Sequence, residues 1–170
     1  MRHKKVCLLG TSAVGKTSLV KRFVQGIFSD KYMTTVGVKI DRKTESIDGR
    51  DVDLLLWDLN GEDRFQKLSM SYLRGASGYL LVVDGTRRQT LDAALVLHHK
   101  ARAALGDIPC LMLLNKADLT DAWDFDQPDL AELEAQGWTI FRTSAKMGTG
   151  VEEAFQTLAQ LLSTPDPATL

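Results

Sequence analysis

The sequence predicts a three-layer α/β domain in which helices cover both faces of a mostly parallel sheet. Short, continuously apolar runs alternate with helical patterns along the chain, as expected for parallel strands buried on both sides. Asp48 and Gly49 separate two extended runs, and an Asp-Gly pair there indicates a hairpin with one antiparallel edge strand. We therefore expect a doubly wound, six-stranded sheet that binds ligands at the carboxyl ends of its strands.

Six strands and four helices are predicted. The strands are expected at residues 6–9, 36–47, 54–57, 79–83, 110–114 and 138–141. Apolar residues with helical spacing predict helices near residues 19–24, 94–105, 130–134 and 151–162. Residues 1–164 are predicted to form one domain, and residues 165–170 a frayed tail.

Composition excludes several classes of function. A formal net charge of −1 gives no reason to expect a nucleic-acid binder, which usually shows a basic face. No apolar run reaches membrane-spanning length and no signal peptide is evident, so a cytoplasmic protein is expected. Cys7 and Cys110 lie in apolar runs and are interpreted as buried thiols rather than a disulfide or metal pair.

A complete phosphate-binding motif, GTSAVGKTS at residues 10–18, follows the first strand and precedes the first helix. Gly10 and Gly15 let backbone N–H groups wrap a phosphate, and the positive end of the helix dipole faces the anion. Lys16 is expected to reach the β- and γ-phosphates, and the Thr17 hydroxyl to bind Mg²⁺. The predicted phosphate-binding residues are Gly10, Ser12, Ala13, Val14, Gly15, Lys16, Thr17 and Ser18.

Guanine is indicated by NKAD at residues 115–118, directly after an apolar strand. The Asp118 carboxylate can accept hydrogen bonds from N1–H and the exocyclic amine of guanine. Adenine lacks this donor pair and would leave the carboxylate unpaired in a desolvated pocket. Alone, the tetrapeptide fits an ordinary strand-ending turn equally well. Its place after the phosphate motif and before TSAK at residues 143–146 favours a base-binding site.

Together these motifs resemble the Ras superfamily of small GTPases and, in their local sequence, its Rab branch; a prokaryotic relative of that branch is one alternative. The matching segments are GTSAVGKTSLVKRF, YMTTVG, WDLNGEDRF, SYLRGASGYLLVVD, NKAD and TSAK, in that family's order and spacing. The resemblance implies a P-loop NTPase G domain that binds GTP or GDP with Mg²⁺ and hydrolyses GTP. It also implies a monomer whose switch loops meet an effector, an exchange factor and an activating protein.

The resemblance also implies roles for single residues. Phe28 and Lys116 would cover the two faces of guanine. The implied guanine-binding residues are Phe28, Asn115, Lys116, Asp118, Ser144, Ala145 and Lys146. The implied metal ligands are Thr17, Thr35 and, through water, Asp58. The implied catalytic residues are Lys16, Thr35, Gly61, whose N–H would meet the γ-phosphate, and Glu62.

Glu62 stands where the family has a water-orienting glutamine. An ionised carboxylate only accepts hydrogen bonds, and at about 4 Å and an effective dielectric of about 20 two unit charges repel by roughly 4 kcal/mol. Glu62 could turn to solvent near Arg64, become a neutral acid, or position water as a base. We expect the first arrangement at rest and hence slow hydrolysis. The alternative is a GTP-binding module without significant turnover; a P-loop kinase is disfavoured by NKAD and TSAK.

The family's partner surface differs in one position here. Trp57 and Tyr72 match two of its three effector-facing aromatics, and Ile40 replaces the third, although core packing is an alternative role for Trp57. Residues 26–36 contain no arginine, so an activating partner is expected to supply that charge, which in Ras raises turnover by about 10³–10⁵. No cysteine follows Cys110, so no direct prenyl anchor is expected.

Overall fold

The computed structural model describes residues 2–28, 38–59 and 71–163. Its described strands and helices follow the predicted order. In chain order they are β1 Arg2–Leu9, α1 Lys16–Gln25, β2 Val38–Ile47, β3 Arg50–Leu59, β4 Gly78–Asp84, α2 Gln89–Leu105, β5 Cys110–Asn115, α3 Gln127–Ala135, β6 Ile140–Arg142 and α4 Val151–Ser163. Among these residues no helix is both long enough and apolar enough to cross a bilayer.

The six strands form one sheet in the order β2-β3-β1-β4-β5-β6. Every neighbouring pair is parallel except β2 and β3, which confirms the predicted antiparallel edge strand. Asp48 and Gly49 join β2 to β3 with positive φ angles of 51° and 78°. These angles suit a two-residue hairpin whose turn matches the twist of the strands.

Two apolar clusters fill the spaces on either side of the sheet. One lies beneath α1 and α4, where the rings of Phe23 and Phe155 stack with centroids 4.1 Å apart. The other lies beneath α2 and α3 and includes Ala94 and Leu130. Since both faces are covered, the carboxyl edge of the sheet, where β1, β3, β4 and β5 end, remains for a ligand.

The last strand begins later than predicted. It starts at Ile140 rather than Trp138 because α3 ends in a turn at Gly137, with φ 97°, and the Trp138 N–H donates to Leu133. The Trp138 and His98 rings then meet in a T-shaped contact, with centroids 4.6 Å apart. An aromatic contact with α2 therefore replaces the first part of the predicted strand.

Candidate nucleotide-binding site

The phosphate motif forms a tight loop between β1 and α1. A Cβ atom at Gly10 would lie 2.6 Å from the carbonyl oxygen of Val82, and one at Gly15 only 2.2 Å from Nδ2 of Asn115. Gly15 also has φ 103°, in the left-handed region. The loop therefore winds against the ends of β4 and β5, and the side chains of ordinary residues do not fit at either glycine.

Lys16 is folded over this loop. It is only 7% exposed, and its Nζ donates to the carbonyl oxygens of Gly10 at 2.9 Å and Thr11 at 3.1 Å. Burial lowers the pKa of Lys16 to about 8, and the nearby charge of Asp58 partly opposes that decrease. An anion in the loop would therefore meet an ammonium group with little competing water.

Thr17 and Asp58 meet beside Lys16. The Thr17 hydroxyl donates to Oδ2 of Asp58, which is buried at the carboxyl end of β3. A hydroxyl and a carboxylate supply oxygen ligands of the kind Mg²⁺ prefers. These two residues therefore fit a Mg²⁺ ion, and the charge of Lys16 would balance the phosphates that such an ion accompanies. The other predicted ligand, Thr35, and the predicted catalytic residues Gly61 and Glu62 lie outside the described residues.

Asn115 connects the phosphate loop to the two predicted base-binding loops, residues 115–118 and 143–146, called the base loops below. It ends β5 and is buried, its Nδ2 donates to the Val14 carbonyl at 3.0 Å, and its Oδ1 accepts from Thr143 at 3.1 Å. The side chain therefore reaches residues 101 and 28 positions away along the chain. The end of β5 therefore joins the phosphate loop to a loop that lies far from it along the chain.

Asp118 and Ser144, two of the predicted guanine-binding residues, contact each other. The Ser144 hydroxyl donates to Oδ1 of Asp118 at 2.7 Å and accepts the Met147 N–H at 3.0 Å. These bonds orient the carboxylate whose oxygens would accept from guanine. Phe28, the predicted stacking residue, is partly buried against the core cluster beneath α1 and α4.

Arg22 and Asp84 contact the predicted site although no role was predicted for them. Arg22 donates from Nε to the carbonyl of Ala145 at 2.7 Å and from Nη2 to that of Lys146, which fastens TSAK to α1. Lys116 has φ 69°, and its Nζ lies 2.9 Å from Oδ2 of Asp84. An acidic residue that ends a continuously apolar strand, as in VVDG, is the sequence signal that could have identified Asp84.

The three predicted partner-facing residues come together beside this edge. Ile40 lies opposite Trp57 in the β2–β3 pair, and the Trp57 and Tyr72 ring centroids are 6.1 Å apart. Ile40 is 52% exposed, and Nζ of Lys5 lies 3.7 Å from the centre of the Trp57 ring. Trp57 also packs against the core, so both roles considered for it are compatible.

Known proteins are similar to this sequence over most of its length. The Ras family model matches residues 5–164. The Ras-related protein RABA2d of Arabidopsis thaliana is 38% identical over 156 residues, which cover 91% of this chain and 72% of that protein. The Ras-related protein RABA2c of the same plant is 36% identical with the same coverage. Together with the six-stranded sheet and its phosphate loop, these matches show that the chain belongs to the Ras superfamily of small GTPases and is Rab-like.

Proposed function

We propose that the protein is a cytoplasmic switch that binds GTP and GDP with Mg²⁺ and hydrolyses GTP slowly. The observation that carries this proposal is the meeting of Lys16, the Thr17–Asp58 pair and the Asp118–Ser144 pair at one edge of the sheet. Lys16 would hold charge that develops on the phosphates, and Asp118 would select guanine. A bound Mg²⁺ would supply further charge neutralisation when water attacks the γ-phosphate in line.

The rate of GTP hydrolysis is expected to depend on Glu62, which lies outside the residues that the structure describes. Glu62 replaces an amide that both donates and accepts hydrogen bonds, and its charge would oppose the γ-phosphate. We therefore propose a low intrinsic rate, together with a partner arginine for fast hydrolysis. A GTP-holding module without turnover is the second candidate, and the same substitution supports it.

We expect Glu62→Gln to raise single-turnover GTP cleavage by about tenfold, since one regained hydrogen bond in the transition state corresponds to about 1.4 kcal/mol. Phosphate release from γ-labelled GTP, loaded with Mg²⁺, measures this rate. The matched control is Glu132→Gln at an exposed position of α3, which should leave the rate unchanged.

Two results would change the proposal in different ways. If GTP stays intact for hours in the wild type and in both variants, the protein is a binding module rather than an enzyme. If wild-type protein cleaves GTP and Glu62→Gln cleaves it equally fast, Glu62 takes no part in the reaction.

Nucleotide binding is expected to take up a proton through Lys16. Its pKa in the free protein is about 8, and phosphate would favour the charged form, so affinity falls as pH rises through 8. From pH 7 to 8.5 the protonated fraction falls from about nine tenths to a quarter, so GDP affinity should fall about fourfold. Calorimetry at pH 8 in buffers of different ionisation enthalpy should show uptake of about half a proton. Lys16→Arg, which stays charged, should take up no proton when the nucleotide binds. Absence of proton uptake in the wild type as well would contradict the prediction.

We also propose that a partner binds the surface formed by Ile40, Trp57 and Tyr72. Its aromatic pair and the exposed Ile40 supply the apolar anchors that protein interfaces use. Tyr72→Ala should weaken binding of a GTP-selective partner about tenfold or more, whereas Tyr72→Phe, which keeps the ring, should not. Unchanged partner binding by Tyr72→Ala in a titration would exclude this surface.

A further inference from the structure

Asp84 forms a buried junction at the carboxyl end of β4. It is 1% exposed and accepts four hydrogen bonds. Its Oδ1 accepts from the backbone N–H and hydroxyl of Thr86 at 2.9 and 2.6 Å, and its Oδ2 accepts from Nε of Arg87 and Nζ of Lys116, each at 2.9 Å. Two cationic side chains from different segments are thus held by one carboxylate.

The charge of this carboxylate is stable in its buried position. Burial by itself would raise the pKa of Asp84, but the hydrogen bonds from Thr86, Lys116 and Arg87 outweigh that effect and hold the pKa below its usual range. Thr90 fixes the backbone nearby, because its hydroxyl donates to the Arg87 carbonyl at 2.7 Å and accepts the Asp84 N–H at 2.9 Å. Arg87 therefore projects from a well-ordered turn.

Arg87 extends from this junction to the phosphate loop. Its Nε is held by Asp84, and its Nη2 donates to the carbonyl oxygen of Ser12 at 3.3 Å. Lys116, which contacts the same oxygen of Asp84, belongs to the predicted base loop at residues 115–118. The path Ser12–Arg87–Asp84–Lys116 therefore joins the phosphate loop to the base loop, separately from the contact that Asn115 makes with Val14.

We propose that Arg87 is a positioning residue which, through Asp84, latches the phosphate loop to the base loop and slows nucleotide release. This inference rests on the proposed nucleotide binding. Phosphates and base are held by different loops, so release requires the loops to separate or loosen. Contacts that join the loops stabilise the closed arrangement and act mainly on the dissociation rate. Arg87 suits this role because its planar guanidinium can bind a carboxylate and a carbonyl at the same time.

The test compares Arg87→Gln with Arg88→Gln. Arg88 is exposed and, like Arg87, charge-paired, but it donates to Asp129 and to the Asp124 carbonyl, and no bond from it to the phosphate loop is seen among the described residues. Release of fluorescent GDP into excess unlabelled GDP should be about tenfold faster in Arg87→Gln, as expected for a lost charge-assisted bond, and within about twofold of wild type in Arg88→Gln.

Two further readouts separate a latch from a general structural role. Arg87→Lys keeps the charge at Asp84 but cannot span both acceptors, so it should release GDP faster than wild type, at a rate below that of Arg87→Gln. The GDP release rate of Arg87→Lys also tests the latch if Arg87→Gln fails to fold. Single-turnover cleavage of GTP that is already bound should not change in any of these variants. Release from both Arg87 variants at the wild-type rate would overturn the latch.

Hydrogen exchange in nucleotide-free protein tests the latch independently of binding. Amides at residues 12–14 and 116–118 should both exchange at least about threefold faster in Arg87→Gln than in Arg88→Gln, because the joined loops open together. If wild-type protein binds no guanine nucleotide, the proposed function fails, while this exchange pattern would still support the latch between the loops. Equal exchange in the two variants would overturn it.

Discussion

Replacing Asp118 by alanine is expected to lower the affinity for GTP by about 10³-fold and to leave the weak affinity for ATP unchanged. Two hydrogen bonds from guanine to a charged acceptor contribute about 1.5–3 kcal/mol each, or about 10²–10⁴ in affinity together. ATP offers no donor pair at the corresponding position, so it does not depend on the carboxylate. Equilibrium titration of both nucleotides with wild type and Asp118→Ala measures the change.

Two control variants make this result specific. Ser144→Ala removes the 2.7 Å bond that orients Asp118 and should cost only about tenfold in GTP affinity. Asp121→Ala removes an exposed carboxylate from the neighbouring 3₁₀ turn and should cost nothing measurable. Equal losses of GTP and ATP affinity in Asp118→Ala would show that the carboxylate supports the fold rather than selecting the base.

Gly15→Ala is expected to abolish tight nucleotide binding and to destabilise the protein by about 3 kcal/mol, which lowers Tm by about 10 °C for a chain of this size. The added Cβ would lie 2.2 Å from Nδ2 of Asn115, at a backbone φ of 103°. Relief of that clash must move either the phosphate loop or the side chain that joins it to the base loops. A displacement of about 1 Å is enough to lower function about 10²-fold.

Gly26→Ala is the matched control for that prediction. Gly26 follows α1 with φ 70°, but an added Cβ would have no atom within 4 Å among the neighbours considered. Its cost is therefore limited to backbone strain, about 1 kcal/mol or about 3 °C in Tm, with nucleotide binding retained. Calorimetric scans and GDP titration measure both effects. If Gly26→Ala and Gly15→Ala behave alike, strain alone explains the result and the contact with Asn115 does not matter.

Motifs whose geometry is local could be predicted directly from the sequence. The hairpin at Asp48 and Gly49 depends on backbone angles within the turn itself, and the phosphate loop between the first strand and the first helix was predicted from one continuous motif. Continuous apolar runs indicated the parallel sheet, because only strands covered on both faces tolerate that pattern. The boundary at Trp138 was wrong because an aromatic contact with His98 on another helix competes with strand formation.

Residue types and their order were enough to predict the class of fold and the chemical groups of the site, since residue type sets which atoms donate, accept or carry charge. How those groups are joined became visible only in the folded protein. Arg22 fastens a loop more than 120 residues away, and Asp84 holds Lys116 together with Arg87, which donates to the phosphate loop. The spacing of residues along the sequence does not predict such contacts. Strands that are far apart in the sequence bring their carboxyl ends together only when the whole sheet has formed.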